Sequence, residues 1–414
     1  MSNHESFPST IAMSLATAVV LANASCGPRA VGTTDPKAAR AAFTSKDRSI
    51  QAEHAAANAP PSPPSAPSLA VASRTPAPAA PAAAPTATPA ATPAATPAAA
   101  SAATTATKPI TLAAPANAQA QADATQLLRA ASVSPWAALR AHAIEASIRN
   151  PKLLAELAPA ALTDENRGVR FVACMAISEA KLSALADRVE PLLRDESRSV
   201  QAAAMLALSR CGRKVNPTPL AAMIGDNDPE IRANAYLVLG ELGERSAVPM
   251  IRESLGKGMR LVNPMRVRLV DLAAAEALVK LGDDAEIEPI RAALFAPPEQ
   301  SELTIVACDS IGRLHDEVAR PMLERLLGTG PNAERSPEIR LSAARALAKL
   351  GAKQGPAAIA REYVKHADPR IRTLAATLLG EIGGSEATTA LRALLADENP
   401  AVQVAAAAGI DAVD

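Results

Sequence analysis

Aromatic side chains are almost missing from this chain: one Trp, two Tyr and four Phe make up 2% of 414 residues, although 49% of the residues are hydrophobic. Burial therefore falls to Ala, Leu and Val, which favours helices over strands. Cysteine is equally scarce, with four residues in all, widely spaced and suggesting no disulfide framework. The five histidines include no His-x-x-x-His pair, and no Cys-x-x-Cys occurs, so neither a metal nor any other cofactor is expected. Net charge is absent as well. Basic and acidic residues balance at 42 each, which removes the global attraction that a general nucleic-acid binder needs. Together these absences point to a helical, non-enzymatic protein.

What is present divides into three segments. Residues 11–22 (IAMSLATAVVLA) form a twelve-residue apolar run, short of the roughly twenty residues that cross a bilayer as a helix. The run suits the core of a secretory signal, and Ala22-Asn23-Ala24 is a small-x-small cleavage site. Ala24-Ser25-Cys26-Gly27 resembles a bacterial lipoprotein signal, which implies lipidation of Cys26. Asn23 stands where such signals usually carry Leu, and residues 1–10 contain no Lys or Arg. A cytosolic protein with a mildly apolar, disordered start stays open as the alternative. Residues 1–26 are accordingly read as the address, directing the protein to the periplasm or to a membrane through a lipid.

Residues 27–122 read as a disordered linker. Thirteen of the 35 prolines lie between Pro60 and Pro109, in a Pro/Ala/Thr/Ser tract. Proline removes donors, and Ala and Ser bury too little apolar surface to offset chain entropy. Such a tract extends at about 3.1 Å per residue and suits a stalk.

Residues 123–414 carry a repeat. An apolar anchor, often followed by Arg, recurs at Leu139, Val169, Val200, Ile231, Val270, Leu303, Ile339, Ile371 and Val402. Four residues after each anchor stands alanine, in all nine copies. Eight residues on stands Leu or Ile, except for Ser147 in the first. These offsets share one helical face, and the constant small residue lets a neighbouring helix approach closely. Polar turns such as Asp226-Asn227-Asp228-Pro229 precede the anchors and supply capping oxygens. A second helix follows each patterned one, as at residues 247–255, where Pro249 tolerates the first turn. A wider spacing after Ile231 places an inserted loop at residues 256–265.

The turns and the Val/Ile-Arg-x-x-Ala pattern resemble the HEAT repeat, in its short bacterial variety also seen in phycobilisome-lyase-like proteins. The resemblance covers about two thirds of the chain. It implies an all-α fold, an α-solenoid of about nine helix pairs, right-handed, with the patterned helices on the concave face. It also implies a structural ladder of stacked aspartates and arginines, carried here by Asp164, Asp195, Asp226 and Asp397 with Arg170, Arg232, Arg340 and Arg372. Arg140 and the variant Glu334 fit the same places, whereas Gln201, Asp271, Thr304 and Gln403 break the pattern.

Opposite the buried face of the patterned helix lie Phe171, Met175, Leu206, Leu237, Leu272, Ile305 and Leu341. As an apolar stripe on the concavity they would hold a peptide or helix of a partner protein. The other reading is that curvature packs them against one another between repeats. Ten residues after the anchors the charges are mixed, which favours pairing between repeats. Lys257, Arg260, Arg266 and Arg268 cluster around the insertion and read as a solvated loop before an anion site. Cys174 and Cys308 hold equivalent places and read as small buried side chains. Trp136 is expected to cover the open N-terminal end of the stack. Residues 127–414 hold 35 basic against 37 acidic residues, which excludes a nucleic-acid cradle.

The resulting expectation is a monomeric, non-enzymatic scaffold for protein–protein contact, exported and reaching a membrane only through a lipid on Cys26. The alternative is a cytosolic lyase-like or regulatory protein acting on a protein-bound chromophore. Metal-dependent hydroxylases of similar architecture use His-Glu pairs on the inner helices, and no such pair occurs in these repeats.

Overall fold

Alanine at every fourth place after an anchor leaves room for a second helix, and the chain folds accordingly. A computed structural model describes residues 114–257, 263–328 and 335–410. Cys26, the expected address, the linker up to residue 113, Arg260 and Glu334 lie outside the described residues, as does the whole of the separate unit Pro28–Ile110. Eighteen α-helices and no strand occur among the described residues.

Nine of these helices carry the anchors: α2 (Ala137–Ala146), α4 (Arg167–Ala180), α6 (Arg198–Arg210), α8 (Pro229–Leu242), α10 (Pro264–Lys280), α12 (Ser301–Leu314), α14 (Pro337–Lys349), α16 (Pro369–Ile382) and α18 (Pro400–Ile410). Between them run α3 (Pro151–Ala161), α5 (Ala186–Val189), α7 (Thr218–Ile224), α9 (Val248–Ser254), α11 (Ile287–Ala293), α13 (Arg320–Leu326), α15 (Gln354–Tyr363) and α17 (Gly384–Leu394). A further helix, α1 (Ala114–Ser132), precedes the first patterned one. Successive patterned helices pack together around the whole array, while the intervening helices seldom meet one another. The patterned helices therefore take the smaller circumference and form the inner layer.

The nine patterned alanines, Ala143 through Ala406, are each 0% exposed, which is the physical reason for their constancy: any larger side chain would push the layers apart. Ser147, the exception eight residues on, is buried with its hydroxyl donating to the Ala143 carbonyl. Caps end the helices as the turns require. The Asn166, Asp228 and Asp368 side chains accept backbone N–H groups at their N-termini, and Gly243 closes α8 at φ 71°. Pro249 sits in the first turn of α9.

The array closes. Helix α18 packs against α2 as well as α16, and α1 lies against both α18 and α2. No outer helix follows α18 among the described residues, and α1 occupies that place. Ala120, Ala124 and Leu128, spaced by four, are buried in the same core as Val402, Ala406 and Ala407. Three expectations change as a result. The linker boundary at residue 122 falls inside a helix that begins at Ala114, because past Pro115 the Ala- and Gln-rich stretch contains no helix breaker. Trp136 covers no open end, being 71% exposed in the turn between α1 and α2, since α1 and α18 do the covering. The insertion ends before Pro264, where α10 starts.

Candidate functional site

Ten residues after eight of the nine anchors, and six residues after four of them, stand charged residues that gather toward the C-terminal ends of the inner helices. Because those helices are neighbours, the charges meet. Arg210 on α6 reaches Glu241 on α8 at 3.2 Å. Lys280 on α10 sits 2.7 Å from Glu241 and 2.9 Å from Glu276. Arg313 on α12 grips Glu276 through two N–H groups at 2.9 and 2.6 Å, and the Ser310 hydroxyl donates to the same carboxylate at 2.6 Å. Arg345 on α14 pairs with Asp309 on α12 at 3.2 Å. Arg149, just beyond α2, reaches Glu381 on α16 at 3.8 Å and so spans the place where the array closes. The result is a belt of alternating charge on the inner layer.

Burial by itself would push the Glu276 carboxyl up, but Arg313 and Lys280 outweigh it and hold the group well below the usual carboxylate range. It is ionised at neutral pH and has no proton to give. The same pairing raises Arg313 further above its already high value. Lys349 differs from these residues. Its stem lies over Gly312, where an added Cβ would meet it at 3.1 Å, and none of the ion pairs among the described residues includes it. Burial, followed by the nearby Arg345 charge, lowers its ammonium to about 8. Buried pairs of this kind add little net stability, because desolvation offsets attraction, but a mismatched register strands a charge. The belt therefore sets the register of repeat on repeat.

The opposite ends of the inner helices carry the Asp–Arg ladder. Arg140 pairs with Asp164, Arg170 with Asp195 and Arg372 with Asp397, each from one repeat to the next, at 2.7 to 2.8 Å. Each arginine also donates to carbonyls of its own turn: Arg170 to Asp164 and Glu165, Arg372 to His366 and Ala367. Each aspartate in turn accepts an N–H two residues on, at Asn166, Ser197 and Asn399. Gln201 and Gln403 keep only the turn bond, to the Asp195 and Asp397 carbonyls. Asp226 is reached by Arg198 instead. Arg232 turns to the Lys257 carbonyl, and Arg340 to Glu362 and Tyr363. Arg–carboxylate forks of this type are structural, and in Arg170 and Arg372 all three guanidinium nitrogens are engaged in them or in the turn.

The seven apolar residues placed on the concavity form no open stripe. Phe171, Met175, Leu206, Leu272 and Leu341 are buried, and Leu237 and Ile305 are half-buried. Packing between neighbouring inner helices buries Phe171, Met175 and Leu206 in a cluster of the first five repeats, so the row belongs to the core. The large exposed hydrophobics lie elsewhere. Val133 and Trp136 lead into α2, Phe295 leads into α12, and Val318 stands in a turn on the other edge. Sequence alone singles out Trp136 but not its exposure, and it does not mark the other three, because they lie in turns outside the repeat pattern.

Cys174 and Cys308 are buried, and burial pushes both thiols far up, which makes them inert. In the basic cluster, Lys257 meets Glu253 at 3.6 Å, Arg266 meets Glu302 at 3.8 Å, and Arg268 bonds Gln300. No group of three or more His, Cys, Asp or Glu able to hold a metal occurs among the described residues.

Comparison with known proteins follows from this geometry. Residues 186–262 and 332–411 match the family model for HEAT repeats. No curated protein matches the chain. Among solved structures, human deoxyhypusine hydroxylase in complex with glycerol is 14% identical, with 73% of this chain and 98% of that one covered at a TM-score of 0.32. The complex of CpcE and CpcF of phycocyanin lyase from Nostoc sp. PCC7120 is 22% identical, covers 60% and 91%, and scores 0.28. Kap121p bound to Nup53p is 13% identical, covers 62% and 37%, and scores 0.26. At these scores the likenesses bear on neither activity nor partner.

Proposed function

Since this chain carries HEAT repeats, we propose that it is a monomeric, non-enzymatic scaffold that binds another protein, exported and tethered to a membrane by a lipid on Cys26. One observation carries the scaffold reading. Glu241, Glu276 and Asp309 each face a cation from their own or a neighbouring repeat, and Glu381 faces Arg149 across the closure, so the inner layer is committed to holding its own register. The partner's place shifts from a concave groove to the edge where turns enter the inner helices. There Trp136 and Phe295 stand 71% and 53% exposed, and exposed aromatic side chains of this kind are favoured contact anchors.

The address rests on the apolar run at residues 11–22 and on Ala24-Ser25-Cys26-Gly27. Two variants test the proposal in the native host. Cys26→Ala is expected to move the protein from the membrane pellet into the soluble exported fraction. Trp136→Ala with Phe295→Ala is expected to leave the melting temperature within about 1 °C, as surface changes do, and to remove the crosslinked partner. Unchanged fractionation would defeat the tether, and an unchanged crosslink pattern would defeat the edge as the contact.

A further inference from the structure

The seam between α18 and α2 is the one junction of neighbouring inner helices that no chain segment connects. Every other such pair is joined through an outer helix held at both ends, from α3 between α2 and α4 to α17 between α16 and α18. Helix α1 covers the seam but is tied to the array at its C-terminal end alone, through residues 133–136. Its grip is small-chained. Ala120, Ala124 and Leu128 are its buried anchors, and Leu127 and Ala131 pack beside them. Its one ion pair with the array, Arg129 with Glu156 on α3 at 2.8 Å, is half-exposed on both sides and so contributes little. The bond that spans the seam, Arg149 to Glu381, is the longest of the belt at 3.8 Å. The core into which α1 packs also holds Val402, Ala406 and Ala407 of α18 and Ala146 of α2, and small apolar residues of this kind suit a helix with Ala and Leu at every fourth place.

We propose that α1 is a detachable clasp over a helix-docking slot formed by α18 and α2. Release needs only the hinge at Val133, Ser134, Pro135 and Trp136, whose Val and Trp side chains are already in solvent. The remaining repeats keep their own packing, because α1 packs chiefly on the two helices of the seam and on α3. The occupant to which the slot is complementary is the α1 sequence itself, offered in cis by this chain. The proposal stands on the closure of the array and not on the scaffold reading.

The test uses the full chain and a synthetic peptide of residues 114–132. Leu128→Asp places a charge where Leu128 is 0% exposed and should free α1. The peptide is then expected to bind the variant one to one, and wild-type protein about tenfold more weakly or less, since there the slot is filled. Equal binding to both proteins, or none to a variant that keeps wild-type helicity, overturns the proposal. Native-state hydrogen exchange on unaltered protein supplies a second readout that does not depend on the variant folding. Amides of residues 118–132 should exchange about a hundredfold faster than those of α8 and α10, through a local opening. Protection equal to that of α8 and α10 would make α1 an integral part of the cooperative fold and end the idea of a clasp.

Discussion

Lys349 shows how a single residue departs from its surroundings. Its neighbours on the belt are paired, whereas it points a four-carbon stem across Gly312 and is buried beside Arg345, effects that the Glu381 and Asp309 carboxylates only partly offset. The folded-state value of about 8 lies below the ordinary 10.5, so the unfolded chain holds that proton more tightly. Below pH 8 both states are protonated and the folded state bears the full cost of the buried charge. As pH rises from 8 to 10.5 the cost disappears and stability grows. Lys349→Met is therefore expected to raise stability at pH 7 by about 1–3 kcal/mol and to flatten that rise. Melting curves from pH 6 to 10 check both effects. Glu276 has the opposite sign: its depressed value stabilises the fold at neutral pH, and the benefit goes as acid protonates it.

Among elements, α16 and α18 approach closely at a pair of glycines. A Cβ on Gly380 would lie 2.8 Å from the Gly409 Cα, and one on Gly409 would lie 2.8 Å from Leu391 of α17. Related places show the same arrangement, with Gly240 against Ala277 and Gly312 against Ala346. Gly380→Ala must drive two helices apart, with an expected cost of about 1–3 kcal/mol despite the better helix propensity of alanine. Gly225→Ala meets nothing closer than 3.9 Å and is expected to stay within about 0.5 kcal/mol. Urea midpoints of the two variants make the comparison. The turns between elements obey the same economy of space: where arginine follows the anchor it serves both its own turn and the next repeat, and where glutamine stands only the turn is served.

At the scale of the whole array, closure links the first and last helices. Open arrays of repeats unfold unit by unit, as nearest-neighbour systems do, whereas a closed one loses its seam and its end repeats together. A chain ending at Leu395 lacks α18 and leaves α1 without its slot. Fluorescence of Trp136, the single tryptophan, reports on the α1–α2 turn, and circular dichroism reports on all helices. In the intact protein Trp136, in solvent whether or not α1 is released, is expected to follow the unfolding of α2 and so to coincide with the helical signal. The shortened chain should show Trp136 changing at about 1 M lower urea than the helical signal. Coincident curves from the shortened chain would mean that closure does not couple the ends.

Sequence by itself determined what is local and periodic: helix pairs, capped starts, the alanine in every repeat, inert cysteines, and the ladder at Arg170–Asp195 and Arg372–Asp397. Each of these depends on residues within one repeat or on the same place in the next, so the spacing carries the information. Tertiary structure decided the rest. Curvature is a small rotation summed over nine repeats, and no single repeat encodes whether the sum closes. Packing of repeat on repeat buried Phe171, Met175 and Leu206, and closure by α1 and α18 left Trp136 outside. It also drew residues 114–132, which carry no repeat signature, into the missing outer place. The sequence could reveal these residues as a possible helix, but only the seam between α18 and α2 gives that helix somewhere to pack.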